Sequence, residues 1–135
     1  VEPSGESAPR SFRMRQDAHS TALGKAMLAY KSFEELKEIY KSYTLHKHTD
    51  NTITSLEKLY MELRKVRTNG YSTNEAETFH YVYGVGAPIL DKQNRAIAAI
   101  SLSGTKSTIN IKTIPDLAEK ITKTSKNISL KISDN

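Results

Sequence analysis

The sequence predicts an α+β fold, an antiparallel sheet flanked by helices, on the basis of three observations. Apolar residues recur with a helical period in the first half of the chain, up to residue 70. Two apolar stretches without that period follow, at 79–90 and 95–103, separated by a short polar turn. A last helical pattern begins near Thr113. Helices, paired strands and a closing helix in this order are typical of the α+β class.

Length and composition indicate one globular domain of 135 residues. Hydrophobic residues make up 37% and charged residues 26%, and the net charge of +5 is spread among acidic residues. A solvated surface is therefore favoured over a nucleic-acid patch. The absence of cysteine excludes disulfides and thiolate metal sites and favours the cytoplasm. No apolar run is long enough to cross a membrane.

Residues 1–10 form a predicted irregular lead-in, because proline, glycine and serine are frequent there. The predicted domain covers residues 11–135 and opens with a possible short strand at 11–16. No signal-peptide pattern is present. The chain begins at Val1 rather than at a Met, so we expect a fragment or a processed chain.

An opening helix is predicted between His19 and Tyr30. Its apolar stripe consists of Leu23, Ala26, Met27 and Tyr30. Ser20 or Thr21 can cap its start, where unpaired amides would be open to an anion. Gly24 weakens a helix, which predicts that a strand or a second helix packs closely there.

Local signals define the remaining elements. Ser32 and Glu35 form a capping box for a second helix, and Thr54 or Ser55 begins a third that stops at Gly70. A short strand or turn is predicted at 71–74, one or two strands at 79–90, and a strand buried on both faces at 95–103. The turn at 91–94 suits a left-handed Asn94, and Pro115 fits the first turn of the closing helix.

One group of residues on the predicted sheet could bind a ligand. Ser101 and Ser103 share a face of the late strand, while Val82, Gly84 and Gly86 share a face of the strand before it. If these faces coincide, a hollow with hydrogen-bonding walls could hold a small carboxylate beside the opening helix. On the residues alone, ordinary hydrogen bonding of two serines within a sheet is the favoured alternative.

Four motifs stand in order along the chain. They are H-S-T-A-L-G-K-A-M-L-A from His19, V-R-x-x-G-Y-S-x-N-x-A-E from Val66 to Glu77, G-A-P-I-L-D from Gly86 to Asp91, and A-A-I-S-L-S-G from Ala98 to Gly104. Together they resemble the effector-binding domain of IclR-type bacterial transcriptional regulators, over about residues 11 to 132.

The resemblance implies a GAF-like domain that binds a small metabolite and assembles into homodimers or homotetramers. We interpret the metabolite as a small organic acid and expect no cofactor. It implies DNA binding through a winged helix that normally precedes this domain and is not part of this chain. Carried over by position, the ligand-contacting residues are Ala22, Leu23, Asn74, Val82, Gly84, Ser101 and Ser103, with Met14 a further apolar candidate. Asn74 stands where the family often has an acid, and Gly84 where it often has a larger residue.

Other candidate sites have simpler interpretations. His46, His48 and Asp50 could bind a metal, but surface histidines are favoured, and the resemblance transfers no metal site. Tyr71, Tyr81 and Tyr83 are more typical of half-buried strand residues than of stacking groups. We expect Lys25 to be solvated or in a salt bridge, and Glu75 and Glu77 to pair on the surface.

Three functions remain open at this stage. The first is effector sensing within a transcription factor. The second is an oligomerisation module with no effector. The third is a serine hydrolase using Ser101 or Ser103, which is disfavoured because no G-x-S-x-G motif is present.

Overall fold

The computed structural model describes residues 15–133. The lead-in predicted for 1–10, most of the strand predicted for 11–16, and Met14 lie outside this range.

Four helices and three strands make up the described part of the chain. A 3-10 turn at Ala18–Ser20 precedes α1 (Ala22–Leu28), α2 (Phe33–Ser42) and α3 (Leu56–Asn69). The strands β1 (Ser72–Glu75), β2 (Tyr83–Leu90) and β3 (Ala96–Gly104) follow, and α4 (Ile114–Ser133) closes the chain. The predicted α+β class is confirmed.

The helix boundaries follow from local capping. The capping box at the start of α2 is present, with Glu35 N–H donating to Ser32 Oγ over 3.1 Å and Glu35 Oε1 accepting from Ser32 N–H. Ser55, rather than Thr54, caps α3 by accepting from the amide of Lys58. Gly70 ends α3 with φ +83°, and Asn94 takes φ +59° in the turn between β2 and β3.

The three strands form one antiparallel sheet in the order β1-β2-β3. Helix α1 lies on one face of this sheet and α4 on the other. Successive side chains of β2 point to opposite faces, so they are buried alternately beneath the two helices. Val85 and Ala87 pack with Ala118 and Ile121 of α4. A second core joins the end of α1 to α2 and α3 and consists of Leu28, Ala29, Leu36, Leu59, Leu63 and Val66.

Two expectations about burial are wrong. Leu23 and Met27 are exposed, whereas Ala22, Lys25 and Ala26 are the buried side of α1. The helix therefore presents small residues to the sheet, so that the two backbones lie close together. Strand β3 is only half-buried, because it is the edge strand of the described sheet and Ile97 and Leu102 are exposed.

Gly24 is in close contact, as predicted, but with a different partner. A Cβ at this position would overlap the backbone of Ala18 in the 3-10 turn, rather than a strand or a second helix. Among residues 15–133, no helix is both long and apolar enough to cross a membrane.

Candidate functional site

The register of the sheet brings the sequence-predicted residues into two neighbouring rows. Gly84 pairs with Asn74 on one side and with Ser103 on the other. Gly86 pairs with Ser72 and Ser101 in the same way. Since directly paired residues of an antiparallel sheet share a face, both serines lie on the face that carries α1.

The two glycines allow α1 to approach the sheet. A Cβ on Gly86 would lie 2.7 Å from the carbonyl oxygen of Ala22, and a Cβ on Gly84 would lie 3.5 Å from Ala22 Cβ. The hollow expected over the glycines is therefore filled by the start of α1. Any ligand space on this face lies beside that contact, toward the serines of β3.

Two polar contacts hold α1 against the sheet. Ser72 Oγ donates to the carbonyl of Ala22 over 2.6 Å. The ammonium of Lys25 donates to both carboxylate oxygens of Glu77, over 2.7 Å and 3.0 Å. Lys25 thus forms the salt bridge that was one of its two expected states. The surface pairing expected for Glu77 is wrong, because this pair is buried.

Glu77 also fixes the side chain of Asn74. The amide N–H of Glu77 donates to Asn74 Oδ1 over 2.9 Å, and Glu77 Oε2 accepts from the amide of Glu75 over 2.9 Å. Burial raises the pKa of the Glu77 carboxyl above its ordinary value, and the positive charge of Lys25 only partly opposes this effect. The sequence did not reveal this network, because Lys25 and Glu77 are 52 positions apart.

Several hydrogen-bond donors near these rows have no partner within residues 15–133. They are the hydroxyls of Ser101 and Ser103, the Nδ2 amide of Asn74 and the backbone amides of Ala22 and Leu23. Thr21 Oγ1 accepts from Gly24 instead. Because α1 has only seven residues, these amides count as individual donors rather than as the end of a strong helix dipole.

Apolar surface lies near the same donors. Leu23 follows Ala22 at the start of α1 and is 43% exposed, which leaves its side chain open to a ligand. Val82 lies before β2 rather than in it: its N–H donates to the carbonyl of Phe79, and its own carbonyl accepts from Ala76. Val82 is therefore part of a turn, and it is half-buried.

Tyr81 and Tyr83, two of the tyrosines considered as ligand-stacking groups, lie away from these donors. Tyr81 is exposed and stacks on Phe79 with ring centres 5.8 Å apart. Tyr81 and Tyr83 line an open groove of about 520 Å³ together with Thr105, Lys106 and Ser107. Tyr83 packs with the α4 core, so this groove belongs to the other side of the sheet from α1.

The structure gives separate partners to His46, His48 and Asp50, the three residues that could bind a metal according to the sequence. Asp50 pairs with Lys47 over 3.2 Å. His48 Nε2 instead lies 2.8 Å from Asp17 Oδ2, and His19 Nε2 lies 3.0 Å from the carbonyl of His46. His19 thus orients the loop through a hydrogen bond.

Comparison with known proteins identifies the family. Residues 12–130 match the family described as "Bacterial transcriptional regulator IclR C-terminal". The chain belongs to the IclR family. The resemblance found in the four sequence motifs is therefore confirmed, and this chain corresponds to the effector-binding C-terminal domain of such regulators.

Individual relatives agree with this assignment. The chain is 36% identical over 89 residues to the HTH-type transcriptional regulator KdgR of Dickeya chrysanthemi, covering 66% of this chain and 29% of KdgR. The structure of IclR from Thermotoga maritima is similar with a TM-score of 0.81 and 35% identity, over 87% of this chain and 48% of that one. These IclR-family relatives are transcriptional regulators, not enzymes, which excludes the hydrolase alternative.

A second similar structure contains a small molecule. It is a double mutant of the PobR inducer-binding domain from Acinetobacter, in complex with 3-hydroxybenzoic acid. The TM-score is 0.75 with 25% identity, over 83% of this chain and 64% of that one. The chain spans less than half the length of the curated relatives it matches.

Proposed function

We propose that this IclR-family domain senses a small carboxylate-bearing metabolite. The acid group would be held by the hydroxyls of Ser101 and Ser103, with the amides of Ala22 and Leu23 nearby on α1. The observation that carries the proposal is the register, which puts both serines on the face occupied by the start of α1. Their hydroxyls have no hydrogen-bond partner among residues 15–133.

The donors suit an anion. A carboxylate only accepts hydrogen bonds, and each of these groups can donate one. Asn74 Oδ1 is already bonded to Glu77, so the Nδ2 group of Asn74 is the part left to contact a polar substituent. Leu23 and Val82 would cover the apolar part of the ligand. Gly84 would contribute backbone only, because Ala22 covers the position of its missing side chain.

The chemistry of one relative supports an organic acid. The PobR domain was crystallised with 3-hydroxybenzoic acid, a carboxylate on an apolar ring with one polar substituent. A ligand of that kind matches the combination of hydroxyl donors, an amide and an exposed leucine found here. We extend only this chemical class to the present chain.

The wider role follows from family membership and is part of the proposal. In a homodimer or homotetramer, an effector that prefers one arrangement of subunits shifts the population toward it. That shift would alter DNA binding by a winged-helix domain outside residues 11–135, in the cytoplasm where the DNA lies. Without a bound acid, the domain would serve only for assembly, which is the second candidate function.

A panel of acids distinguishes the two functions. Acetate, succinate, benzoate and 3-hydroxybenzoate would be added to the chain while its thermal unfolding is followed, and any stabilising acid would be titrated by calorimetry. A hydrogen bond to a charged group contributes about 1.5–3 kcal/mol. Ser101→Ala and Ser103→Ala should therefore each weaken binding by about tenfold or more. The exposed Ser42→Ala serves as a control that should bind normally. Binding that is unchanged in both serine variants would contradict the proposal.

A further inference from the structure

Three potential metal ligands converge where the 3-10 turn before α1 meets the loop between α2 and α3. They are Asp17, His19 and His48, and one ligand atom from each lies within 4.8 Å of the other two. Asp17 precedes the turn and His19 lies within it, while His48 is about 30 positions away in the sequence. This cluster is separate from the serines of β3. Of its three members, only His48 was also among the residues that the sequence suggested as a metal site.

The ring of His19 is already oriented by the loop. His19 is 1% exposed, and its Nε2 lies 3.0 Å from the carbonyl oxygen of His46. A carbonyl can only accept a hydrogen bond, so Nε2 carries the proton and the other ring nitrogen, Nδ1, has a free lone pair. Metal-binding histidines generally donate their second nitrogen to a carbonyl or carboxylate in this way.

His48 and Asp17 complete the set at the surface. His48 Nε2 lies 2.8 Å from Asp17 Oδ2, and their side chains are 33% and 40% exposed. The two imidazole rings are stacked with centres 6.1 Å apart at 27°. Both side chains are partly exposed, so water can reach the site.

The geometry points to a site for a divalent first-row metal ion, Zn²⁺ in particular, held by Asp17, His19 and His48. Two imidazoles and a carboxylate are ligands that zinc uses, and the exposed side leaves a fourth position for water. With bonds of about 2.0–2.1 Å, ligand atoms around a tetrahedral zinc are about 3.3 Å apart. Rotation of the His48 and Asp17 side chains would have to bring ligand atoms that now lie within 4.8 Å of one another to that spacing.

Binding would join the turn before α1 to the loop between α2 and α3. The ion would cross-link the turn at Ala18–Ser20, which contacts Gly24, to the loop that carries His48. Because metal binding to the folded state alone stabilises that state, the protein should unfold at higher temperature with zinc present. A hydrogen-bonded Asp17–His48 pair without a metal is the competing explanation.

Calorimetric titration of the metal-free 135-residue chain with zinc sulfate tests the proposal. We expect one zinc per chain and, with Co²⁺ as a substitute, visible absorption typical of a low-symmetry site containing imidazole. Loss of an outer hydrogen-bond partner alone typically costs about 10–100-fold in metal affinity. Loss of a ligand in His48→Gln or Asp17→Asn should therefore weaken zinc binding by at least about 100-fold.

Two surface histidines provide matched controls. His46 contributes only its backbone carbonyl to the cluster, and His80 is exposed after β1, so His46→Gln and His80→Gln should bind zinc as the wild type does. Circular dichroism verifies that each variant is folded. The absence of 1:1 binding in the wild type, or binding that His48→Gln and Asp17→Asn leave intact, would overturn the proposal. Ser101→Ala should bind zinc normally, so this result is independent of the effector proposal.

Discussion

The ammonium nitrogen of Lys25 lies 2.7 Å from Oε1 of Glu77, and the two side chains are only 1% and 7% exposed. This buried pair connects α1 to the segment just after β1. Glu77 in turn holds Asn74 through its backbone amide. The position of α1 over the sheet, and hence the proposed acid site, depends on this contact.

Removing one member of the pair should destabilise the domain strongly. Lys25→Met leaves the Glu77 carboxylate buried without its counter-ion, which typically costs about 3–5 kcal/mol. Urea denaturation would measure the loss in the free energy of unfolding. Lys41→Met is a matched control, because Lys41 also lies 2.9 Å from a glutamate, Glu38, but at the surface. It should cost less than about 1 kcal/mol.

Replacing both members should recover most of that loss. The double variant Lys25→Met/Glu77→Leu contains no unpaired buried charge, and such apolar replacements are often neutral or stabilising. If the double variant is as unstable as Lys25→Met, the effect of the lysine does not come from the charge of Glu77.

The cost of Lys25→Met should depend on pH. Burial already raises the folded-state pKa of Glu77 above its ordinary value of 4.5, and loss of Lys25 removes the main opposing effect. A carboxyl with a raised folded-state pKa stabilises the fold fully below its unfolded-state pKa and loses that contribution as the pH rises. The deficit of Lys25→Met relative to the wild type should therefore grow between about pH 5 and about pH 8.

Denaturation of Lys25→Met/Glu77→Gln provides the control for this pH effect. The glutamine of this double variant does not titrate. The difference in the free energy of unfolding between the double variant and Lys25→Met should therefore change with pH only as Glu77 ionises. A Lys25→Met deficit that is constant, or that shrinks toward alkaline pH, would contradict the assignment to Glu77.

The two glycines of β2 should differ in their tolerance of alanine. A Cβ at Gly86 would lie 2.7 Å from Ala22 O and 2.8 Å from Ser72 Oγ, so α1 would have to move. Such overpacking typically costs about 1–3 kcal/mol. At Gly84 the nearest atom is 3.3 Å away, so Gly84→Ala should cost less. Equal thermal stability of the two variants would show that α1 does not rest on Gly86 as described.

Elements with local signals could be predicted from the sequence. The capping box of Ser32 and Glu35, the left-handed Gly70 and the turn at Asn94 depend on neighbouring residues, and all three are present. The pairing of β2 with β3 also followed from the short turn between them. The face shared by Ser101 and Ser103 then followed from the alternation of side chains along a strand.

Long-range packing could not be predicted in the same way. The stripe of Leu23 and Met27 has the spacing of a buried helix face, yet α1 turns its alanines and Lys25 to the sheet. Burial of a lysine depends on a partner 52 positions away, and no periodicity reveals such a partner. The cluster of Asp17, His19 and His48 likewise exists only because the loop folds back on the turn before α1.

Amide NMR can follow the binding of an organic acid to β3 beside the start of α1, residue by residue. A ¹⁵N-labelled chain would be titrated with 3-hydroxybenzoate and the other acids of the panel. We expect saturable shifts at the amides of Ala22, Leu23, Ser101 and Ser103, and we expect the double variant Ser101→Ala/Ser103→Ala to abolish them. Shifts confined to the groove of Tyr81 and Ser107, or no saturable shift with any acid of the panel, would contradict it.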